Sequence, residues 1–205
     1  MKHKFLFILL FSLVLEGMVT TQAVAGDYVH QVNTLIGTKG TGLTSGYLYP
    51  GATYPYGMVQ FTPSYFSKRS GFVINQLSGG GCEHMGNFPT FPVKGKLKMS
   101  PDNILNYRIN VSEEKGHAGY YEAMVQEDIK AKLTVTERTG MASYEYPADQ
   151  QYGTIIIGGG ISATPIEQAA IVITAPNKCE GYAEGGNFCG LRTPVSYTHL
   201  TLPTT

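Results

Sequence analysis

Charged side chains are scarce in this sequence and neither sign dominates. Asp, Glu, Lys and Arg make up 15% of the 205 residues, with 15 of each sign, whereas an average globular protein carries about 25% charged residues. Binding to a nucleic-acid backbone requires a basic excess, so the composition excludes that class of partner. The hydrophobic fraction of 42%, with 14 Tyr and 9 Phe, is high enough for a packed core and argues against extended disorder.

Long apolar runs are absent except at the N-terminus. Residues 2–4 are Lys-His-Lys, residues 5–15 are almost entirely apolar, and Ala23-Val24-Ala25 forms a small-x-small cleavage site. This apolar run is shorter than the roughly 20 residues that span a bilayer, which favours a signal peptide over a membrane anchor. We therefore expect residues 1–25 to be removed before Gly26 and the protein to be periplasmic, on the cell surface or extracellular. No later segment predicts a membrane span.

The last eleven residues differ in character from the rest. Residues 195–205 read Val-Ser-Tyr-Thr-His-Leu-Thr-Leu-Pro-Thr-Thr and resemble the translation of a sequencing adapter. The alternative is a short Thr-rich linker. We predict a non-native tail, exclude it from fold reasoning, and assign the folded domain to residues 26–194.

Helical periodicity is also lacking, and strand patterns dominate. Residues 129–136 alternate apolar and polar, and residues 141–146 follow after Gly140, which predicts a hairpin. The β-branched runs at 154–157 and 171–174 predict buried strands. Residues 165–170 are the best helical candidate, although a helix so short is marginal. Four further segments predict short strands: 71–77, 96–99, 107–111 and 120–125. With turn residues between them, the pattern predicts an all-β antiparallel sandwich.

A glycine motif after one of these strands imitates a dinucleotide-binding loop. Gly158-x-Gly160-x-x-Ala163 follows residues 154–157, but Pro165 lies in the helix that such a loop needs. The distance to the next strand is also at the lower limit for a parallel crossover. Antiparallel strands joined by a Gly-rich turn are the favoured interpretation.

Cysteine is rare, with three residues in the chain. Cys179 and Cys189 enclose a short loop, and in an exported protein the pair could form a disulfide. Spacing alone leaves both the bonded and the free state open. Cys82 is then the odd thiol, either buried or lining a site.

The segment around Cys82 concentrates polar groups among glycines. Residues 78–82 read Ser-Gly-Gly-Gly-Cys, and Glu83, His84 and Asn87 follow directly. Glycines let the backbone approach a ligand closely, so one interpretation is a ligand-binding loop. The other is a Gly-rich turn with exposed polar residues.

Two motifs near the mature N-terminus are highly specific. Residues 32–38 read Val-Asn-Thr-Leu-Ile-Gly-Thr, and residues 49–60 read Tyr-Pro-Gly-Ala-Thr-Tyr-Pro-Tyr-Gly-Met-Val-Gln. Gly71-Phe72 and the Leu-Ser-Gly-Gly-Gly-Cys stretch at 77–82 follow in order. Together they resemble the N-terminal domain of glycoside hydrolase family 92, the calcium-dependent exo-acting α-mannosidases. The resemblance covers most of residues 29–190.

The resemblance implies one part of a two-domain exported enzyme that acts on mannose-containing glycans. The family's N-terminal domain is a large twisted β-sandwich (a supersandwich of the galactose-mutarotase-like kind), followed by an (α/α) barrel that this sequence lacks. The barrel supplies the general acid and base of an inverting hydrolysis. We therefore expect no catalytic residue in this chain and no hydrolysis by it alone. Calcium is the expected cofactor, with ligands that this sequence does not identify.

The resemblance also implies that loops of this domain line the substrate pocket. The residues that we assign to substrate binding on this basis are Gln76, Gly81, Cys82, Glu83, His84 and Asn87. Many members carry two histidines in the stretch before 77–82, which are replaced here, and two aspartates where this chain has His84 and Asn87. The chain has no Trp, so the aromatic surface that commonly holds a sugar falls to one of four tyrosines: Tyr47, Tyr49, Tyr54 or Tyr182.

Two other functions remain open from the sequence. A stand-alone carbohydrate-binding β-sandwich without catalytic activity predicts a natural stop codon near residue 194 and glycan binding by the chain. An exported structural β-protein predicts neither. A downstream reading frame rich in helical periodicity and carboxylates favours the enzyme.

Overall fold

The computed structural model describes residues 28–38, 48–63, 71–75, 88–98, 100, 109–158, 166–185 and 196–202. Residues 1–30 and 31–205 form separate units. A 3₁₀ helix spans Tyr28–Gln31, and no α-helix occurs in the described ranges. The twelve strands, in chain order, are β1 (Ala52–Thr53), β2 (Gln60–Pro63), β3 (Phe72–Val73), β4 (Thr90–Lys94), β5 (Val111–His117), β6 (Tyr120–Val125), β7 (Ile129–Val135), β8 (Gly140–Glu145), β9 (Gly153–Ile157), β10 (Ile166–Ala175), β11 (Lys178–Gly185) and β12 (Ser196–Thr201).

The strands form three antiparallel sheets. The first has the order β1-β2-β3-β4-β9, the second β5-β6-β7-β8, and the third β10-β11-β12. Pairing of β4 with β9 joins strands far apart in sequence and places Thr90 opposite Ile157. The predicted all-β antiparallel sandwich is confirmed.

Buried apolar residues alternate with half-exposed residues along strands of the second sheet, which explains why this sheet packs on the first. In β7, Ile129, Ala131, Leu133 and Val135 face inward, while the residues between them are half-exposed. Their neighbours on β6 follow the same period, with Tyr121 fully buried. These side chains meet Phe61, Phe72 and Phe91 of the first sheet in one core cluster. Burying each such side chain contributes about 1.5–3 kcal/mol.

Two glycines mark places where the sheets approach closely. A Cβ on Gly140, the first residue of β8, would lie 2.9 Å from Phe61 Cδ1 of β2. A Cβ on Gly153, the first residue of β9, would lie 2.4 Å from the Tyr146 ring. Both contacts leave no room for a side chain.

Most predicted strands agree with the structure. The predicted hairpin at 129–146 is β7 and β8, paired from Lys130–Glu145 to Val135–Gly140. The predicted strand at 120–125 is β6. Pairing of β9 with β4 is antiparallel, as expected for a sandwich rather than a dinucleotide-binding crossover.

Three strand predictions need correction. Residues 96–98 are not a strand. Of the segment at 107–111, the structure describes residues 109–111, and among these only Val111 lies in a strand, as the first residue of β5. The strand predicted at 71–77 spans only Phe72–Val73 within the described residues.

Strand β10 overturns two further expectations. Residues 166–170 of the helical candidate are extended, because they pair with residues 182–185 of β11. The run at 171–174 is a strand but not a buried one, since Val172 is 59% and Ile173 is 79% exposed. Cross-strand pairing outweighs the weak helical propensity of this segment.

The ends of the chain carry two expectations that stay predictions. The predicted signal peptide at residues 1–25 lies outside the described residues. Residues 196–201 of the predicted non-native tail form β12, which pairs with β11 from Lys178–Thr201 to Ala183–Ser196. In the described part of the chain, no helix is long and apolar enough to cross a bilayer.

Candidate functional site

The predicted substrate-binding residues lie outside the described residues, but the structure fixes both ends of their segment. Gln76, Gly81, Cys82, Glu83, His84 and Asn87 all fall within residues 76–87, which are not described. On the N-terminal side, Asn75 forms a parallel bridge with Gln60 of β2. On the C-terminal side, Phe88 leads directly into β4, which pairs with β3 through Phe72 and Thr90. The segment therefore starts and ends on adjacent strands of the first sheet.

Phe88 is held in an unusual backbone conformation where this segment ends. Its φ is +52° although it is a bulky residue, and its side chain is buried. A left-handed conformation is costly for such a residue. The third sheet meets it here, since a Cβ on Gly181 of β11 would lie 3.0 Å from Phe88 Cε1. Packing from another sheet thus helps to fix the exit of the 76–87 segment.

Buried hydroxyl contacts join β8 to the strands that flank the segment. Thr90 Oγ1 donates to the Phe72 carbonyl oxygen at 3.3 Å and lies 2.8 Å from Tyr144 Oη. Because the single Thr90 proton serves Phe72, Tyr144 is the donor in the second bond. Burial raises the pKa of Tyr144 well above its usual range. The hydroxyl stays neutral, as its donor role requires.

A second tyrosine makes an equivalent contact with β9. Tyr146 Oη donates to the Thr154 carbonyl oxygen at 2.9 Å, and burial raises the pKa of Tyr146 to about 12. The ring lies against Gly153. Together Tyr144 and Tyr146 connect the second sheet to the first by neutral, partly buried hydrogen bonds.

The structure describes only one of the two cysteines of the predicted disulfide. Cys179 is half-buried near the start of β11 with a free thiol, and burial raises its pKa. Cys189 lies outside the described residues. The Cys179–Cys189 bond therefore stays a prediction.

Carboxylates on the outer face of the second sheet are paired with lysines. Glu122 accepts a hydrogen bond from Tyr120 Oη at 2.8 Å and lies 3.4 Å from Lys130 Nζ. The Tyr120 hydrogen bond, with the nearby lysines, holds the pKa of Glu122 below its usual value. Lys132 pairs with Glu145, and Lys94 pairs with Asp128. Glu122 and Glu145, with their lysines, form a solvated face rather than an acid–base pair for catalysis, while Asp128 Oδ1 is buried and has no hydrogen-bond partner among the described residues.

No metal centre is assembled by the residues that the structure describes. Among them, no group of three His, Cys, Asp or Glu side chains is close enough to hold an ion. None of the described carboxylates is therefore assigned as a ligand of the expected calcium ion.

The four tyrosines that are candidates for holding a sugar differ in their exposure to solvent. Tyr47 is not described, Tyr49 and Tyr182 are half-buried, and Tyr54 is 44% exposed. Tyr56, which the sequence did not single out, is fully exposed. It belongs to residues 54–57, here called the tyrosine turn, in which Gly57 N donates to the Tyr54 carbonyl oxygen at 2.9 Å.

The tyrosine turn has the pattern of a type II turn with an unfavourable residue at one position. Pro55 occupies the second position, where proline is favoured, and Tyr56 occupies the third with φ +60°. That third position normally requires glycine. The available sequence signal was Tyr-Pro-Tyr-Gly, but it suggests Gly57, not Tyr56, as the left-handed residue.

Comparison with solved structures identifies the class of protein as a glycoside hydrolase domain. The structure superposes with a TM-score of 0.67 on a family GH92 α-mannosidase from Bacteroides thetaiotaomicron solved with mannoimidazole, at 25% identity. The match covers 83% of this chain and 24% of that one. An inverting GH92 mannosidase from the VPI-5482 strain of that species matches with a TM-score of 0.59 at 23% identity, over 76% of this chain and 22% of that one. At that identity, the second match shows the fold alone.

Sequence comparison then identifies the particular family. The model of the glycosyl hydrolase family 92 N-terminal domain matches residues 31–202. An uncharacterized secreted glycosidase from Arthroderma benhamiae is 30% identical in a 159-residue alignment that covers 66% of this chain and 20% of that protein. The chain belongs to glycosyl hydrolase family 92 and corresponds to its N-terminal domain. It spans about a fifth of the curated glycosidase and about a quarter of the first α-mannosidase.

Proposed function

We propose that this chain is the N-terminal, carbohydrate-binding β-sandwich of an exported calcium-dependent exo-α-mannosidase that cleaves α-mannosidic bonds of glycans with inversion. The observation that carries the proposal is the family match over residues 31–202. The structural likeness to an α-mannosidase over 83% of the chain supports it. The secreted relative supports export.

In this proposal the chain shapes the substrate pocket and does not perform the chemistry. The 76–87 segment starts at Asn75 and ends at Phe88, both on the first sheet. A segment whose two flanking residues are fixed by packed strands loses less conformational entropy on binding than a free segment does. Glu83, His84 and Asn87 supply hydrogen-bonding groups for sugar hydroxyls, and Gln76 adds an amide.

The general acid and base are supplied by an (α/α) barrel that continues the same polypeptide. Inversion requires two carboxyl groups about 6.5–9.5 Å apart, with room for a water molecule between one of them and the sugar. The described carboxylates Glu122, Glu145 and Asp128 are paired with lysines. A paired, ionised carboxylate is poorly suited to act as a general acid.

Calcium would be held by oxygen ligands and would supply a hard cation for binding sugar hydroxyls. Its ligands are not assigned to the described residues, among which no three His, Cys, Asp or Glu side chains lie close enough together to hold an ion.

Mannose release by the complete gene product tests this function. The full-length enzyme is expected to release mannose from α-mannosides and to lose that activity in a chelator, whereas the 205-residue chain alone releases none. Calcium-dependent mannose release by the chain alone would show that it contains the catalytic groups. A full-length product that releases no mannose from any α-mannoside would overturn the proposal.

The binding role of the 76–87 segment is tested in the same full-length protein. His84→Ala is expected to lower kcat/KM by about tenfold, the loss for one hydrogen bond of about 1.4 kcal/mol to the substrate. The matched control is His117→Ala, because His117 is exposed at the end of β5 and stacks on Tyr120 of β6. Equal effects of the two substitutions would contradict the assignment of His84.

A further inference from the structure

Tyr56 combines a costly backbone conformation with a side chain that packs against nothing. Its φ of +60° is unfavourable for any residue with a Cβ. Its side chain is fully exposed, so the ring gives no packing energy in return. Strain of this kind occurs both at turns that simply tolerate it and at sites that bind a ligand, and the groups that surround Tyr56 distinguish the two.

A second turn lies directly beside the tyrosine turn. Met58 N donates to the Glu137 carbonyl oxygen at 2.7 Å, and a Cβ on Gly57 would lie 3.2 Å from Glu137 Cα. Glu137 belongs to residues 136–139, here called the β7–β8 turn. The two backbones are therefore in contact, and the side chains of both turns share one surface.

The β7–β8 turn holds two charged residues in a fixed position. Thr136 N donates to the Thr139 carbonyl oxygen at 2.8 Å, and Thr139 N donates to Thr136 Oγ1 at 3.2 Å. Between them, Glu137 and Arg138 are exposed, and neither forms an ion pair with another described residue. The surface thus carries the fully exposed ring of Tyr56, the 44% exposed Tyr54, the 75% exposed Met58 and two charged hydrogen-bonding groups.

We propose that the tyrosine turn and the β7–β8 turn together form a carbohydrate-binding subsite. The Tyr56 ring and Met58 cover the apolar C–H face of one pyranose ring. Glu137 accepts hydrogen bonds from its hydroxyl groups, and Arg138 donates to them. This inference rests on the proposed function, which makes the ligand a mannose-containing glycan.

The size of the surface favours a sugar over a protein partner. A stable protein interface buries about 800 Å² on each side, whereas one aromatic side chain contributes about 150–250 Å². Two exposed tyrosine rings, of which only Tyr56 is fully exposed, stay well below that area and are adequate, with two flanking charges, for one monosaccharide unit. The rigid turns also reduce the entropy that binding costs.

Titration of the 205-residue chain with α-linked mannobioses, followed by ligand-observed NMR, tests the subsite. Tyr56→Gly is expected to weaken binding about 2- to 10-fold, the range for one aromatic contact. It keeps or raises the thermal midpoint, because glycine suits the third position of the turn. Tyr56→Phe retains affinity because it keeps the ring. Glu137→Gln weakens binding, and the control Tyr152→Ala, at a 50% exposed tyrosine outside both turns, leaves it unchanged.

Two outcomes overturn the inference and leave the proposed function standing. In one, the chain binds mannobiose and Tyr56→Gly binds equally well. In the other, the chain binds none of the mannobioses although the full-length enzyme releases mannose, which shows that these turns contact other parts of the polypeptide. Failure of the proposed function is a separate result, namely the absence of mannose release by the full-length enzyme.

Discussion

At the scale of single residues, close contacts and backbone conformations decide what this chain tolerates. The left-handed residues illustrate this, because Gly119 and Gly95 adopt positive φ at no steric cost, whereas Tyr56, Phe88 and Glu127 do so with a Cβ. Each of the latter three lies at a turn or at the end of a segment. Substitutions at such positions separate strain that the fold simply tolerates from strain with a function.

Glu127 is the clearest case of strain without a partner. It lies between β6 and β7 with φ +76°, and it is exposed. Glu127→Gly is expected to raise the free energy of unfolding by up to about 1 kcal/mol, because glycine adopts this conformation without steric cost. Urea denaturation measures the change. The control Asp149→Gly, at an exposed turn residue without positive φ, lowers stability, and a loss of stability in Glu127→Gly would contradict the account.

A substitution at Gly153 tests the packing of the Tyr146 ring against β9. An added Cβ would lie 2.4 Å from the ring, so Gly153→Ala is expected to cost about 1–3 kcal/mol, as overpacking does. In the Tyr146→Ala background the same substitution should cost much less, because the ring is gone. Equal costs in the two backgrounds would show that the ring is not the obstacle.

At the scale of elements, alternating apolar and polar residues correctly predicted half-buried strands such as β7. The continuous apolar run of β10 predicted a buried strand, and that burial was wrong. Strand β7 was predictable because every second residue from Ile129 to Val135 meets the core. Strand β10 was not, because its exposure depends on its place in a three-stranded sheet, which Ile171–Val172–Ile173 cannot reveal. The left-handed Tyr56 was equally hidden, since the chain pattern favours Gly57 for that conformation. The site residues in 76–87 were nominated by family resemblance, and their geometry is not described.

The hydroxyl contacts between the sheets predict an alkaline limit to stability. The pKa of Tyr146 rises from 10.0 to about 12 in the fold, and that of Tyr144 also rises. A pKa raised above the unfolded value gives stability that is complete below pH 10 and is lost as pH rises towards 12. Urea midpoints between pH 8 and pH 11 should therefore fall.

The double variant Tyr144→Phe/Tyr146→Phe isolates this effect. It is expected to be less stable at pH 8, because two hydrogen bonds are removed, but to lose less stability than the unchanged chain between pH 10 and pH 11. A loss of the same size in both proteins would assign the alkaline limit to other groups.

Strand β10 predicts self-association of the isolated chain. It lies at the edge of its sheet, its residues 168–175 carry no charge, and Ile173 is 79% exposed. Uncharged, exposed edge strands pair with other chains. Ile173→Lys is expected to lower the aggregated fraction in sedimentation velocity runs at matched concentration. Val32→Lys, at an exposed position outside any strand, changes the net charge equally, and an equal benefit from it would contradict a role for the edge.

At the scale of the whole molecule, the family match and the structure agree on where this chain belongs. The sandwich of the first two sheets supports the 76–87 segment at one place and the tyrosine turn at another. The chain covers about a quarter of the α-mannosidase that it resembles. Its contribution is therefore proposed to be substrate binding, with hydrolysis dependent on the remainder of the enzyme.

The most direct test of this account is the configuration of the sugar first released by the full-length enzyme. Proton NMR of an α-mannoside, recorded during the first minutes of hydrolysis, distinguishes the two anomers before they equilibrate. Inversion predicts that β-mannose appears first, and that the anomeric mixture forms later. Initial release of α-mannose, or no release of mannose at all, would contradict the account.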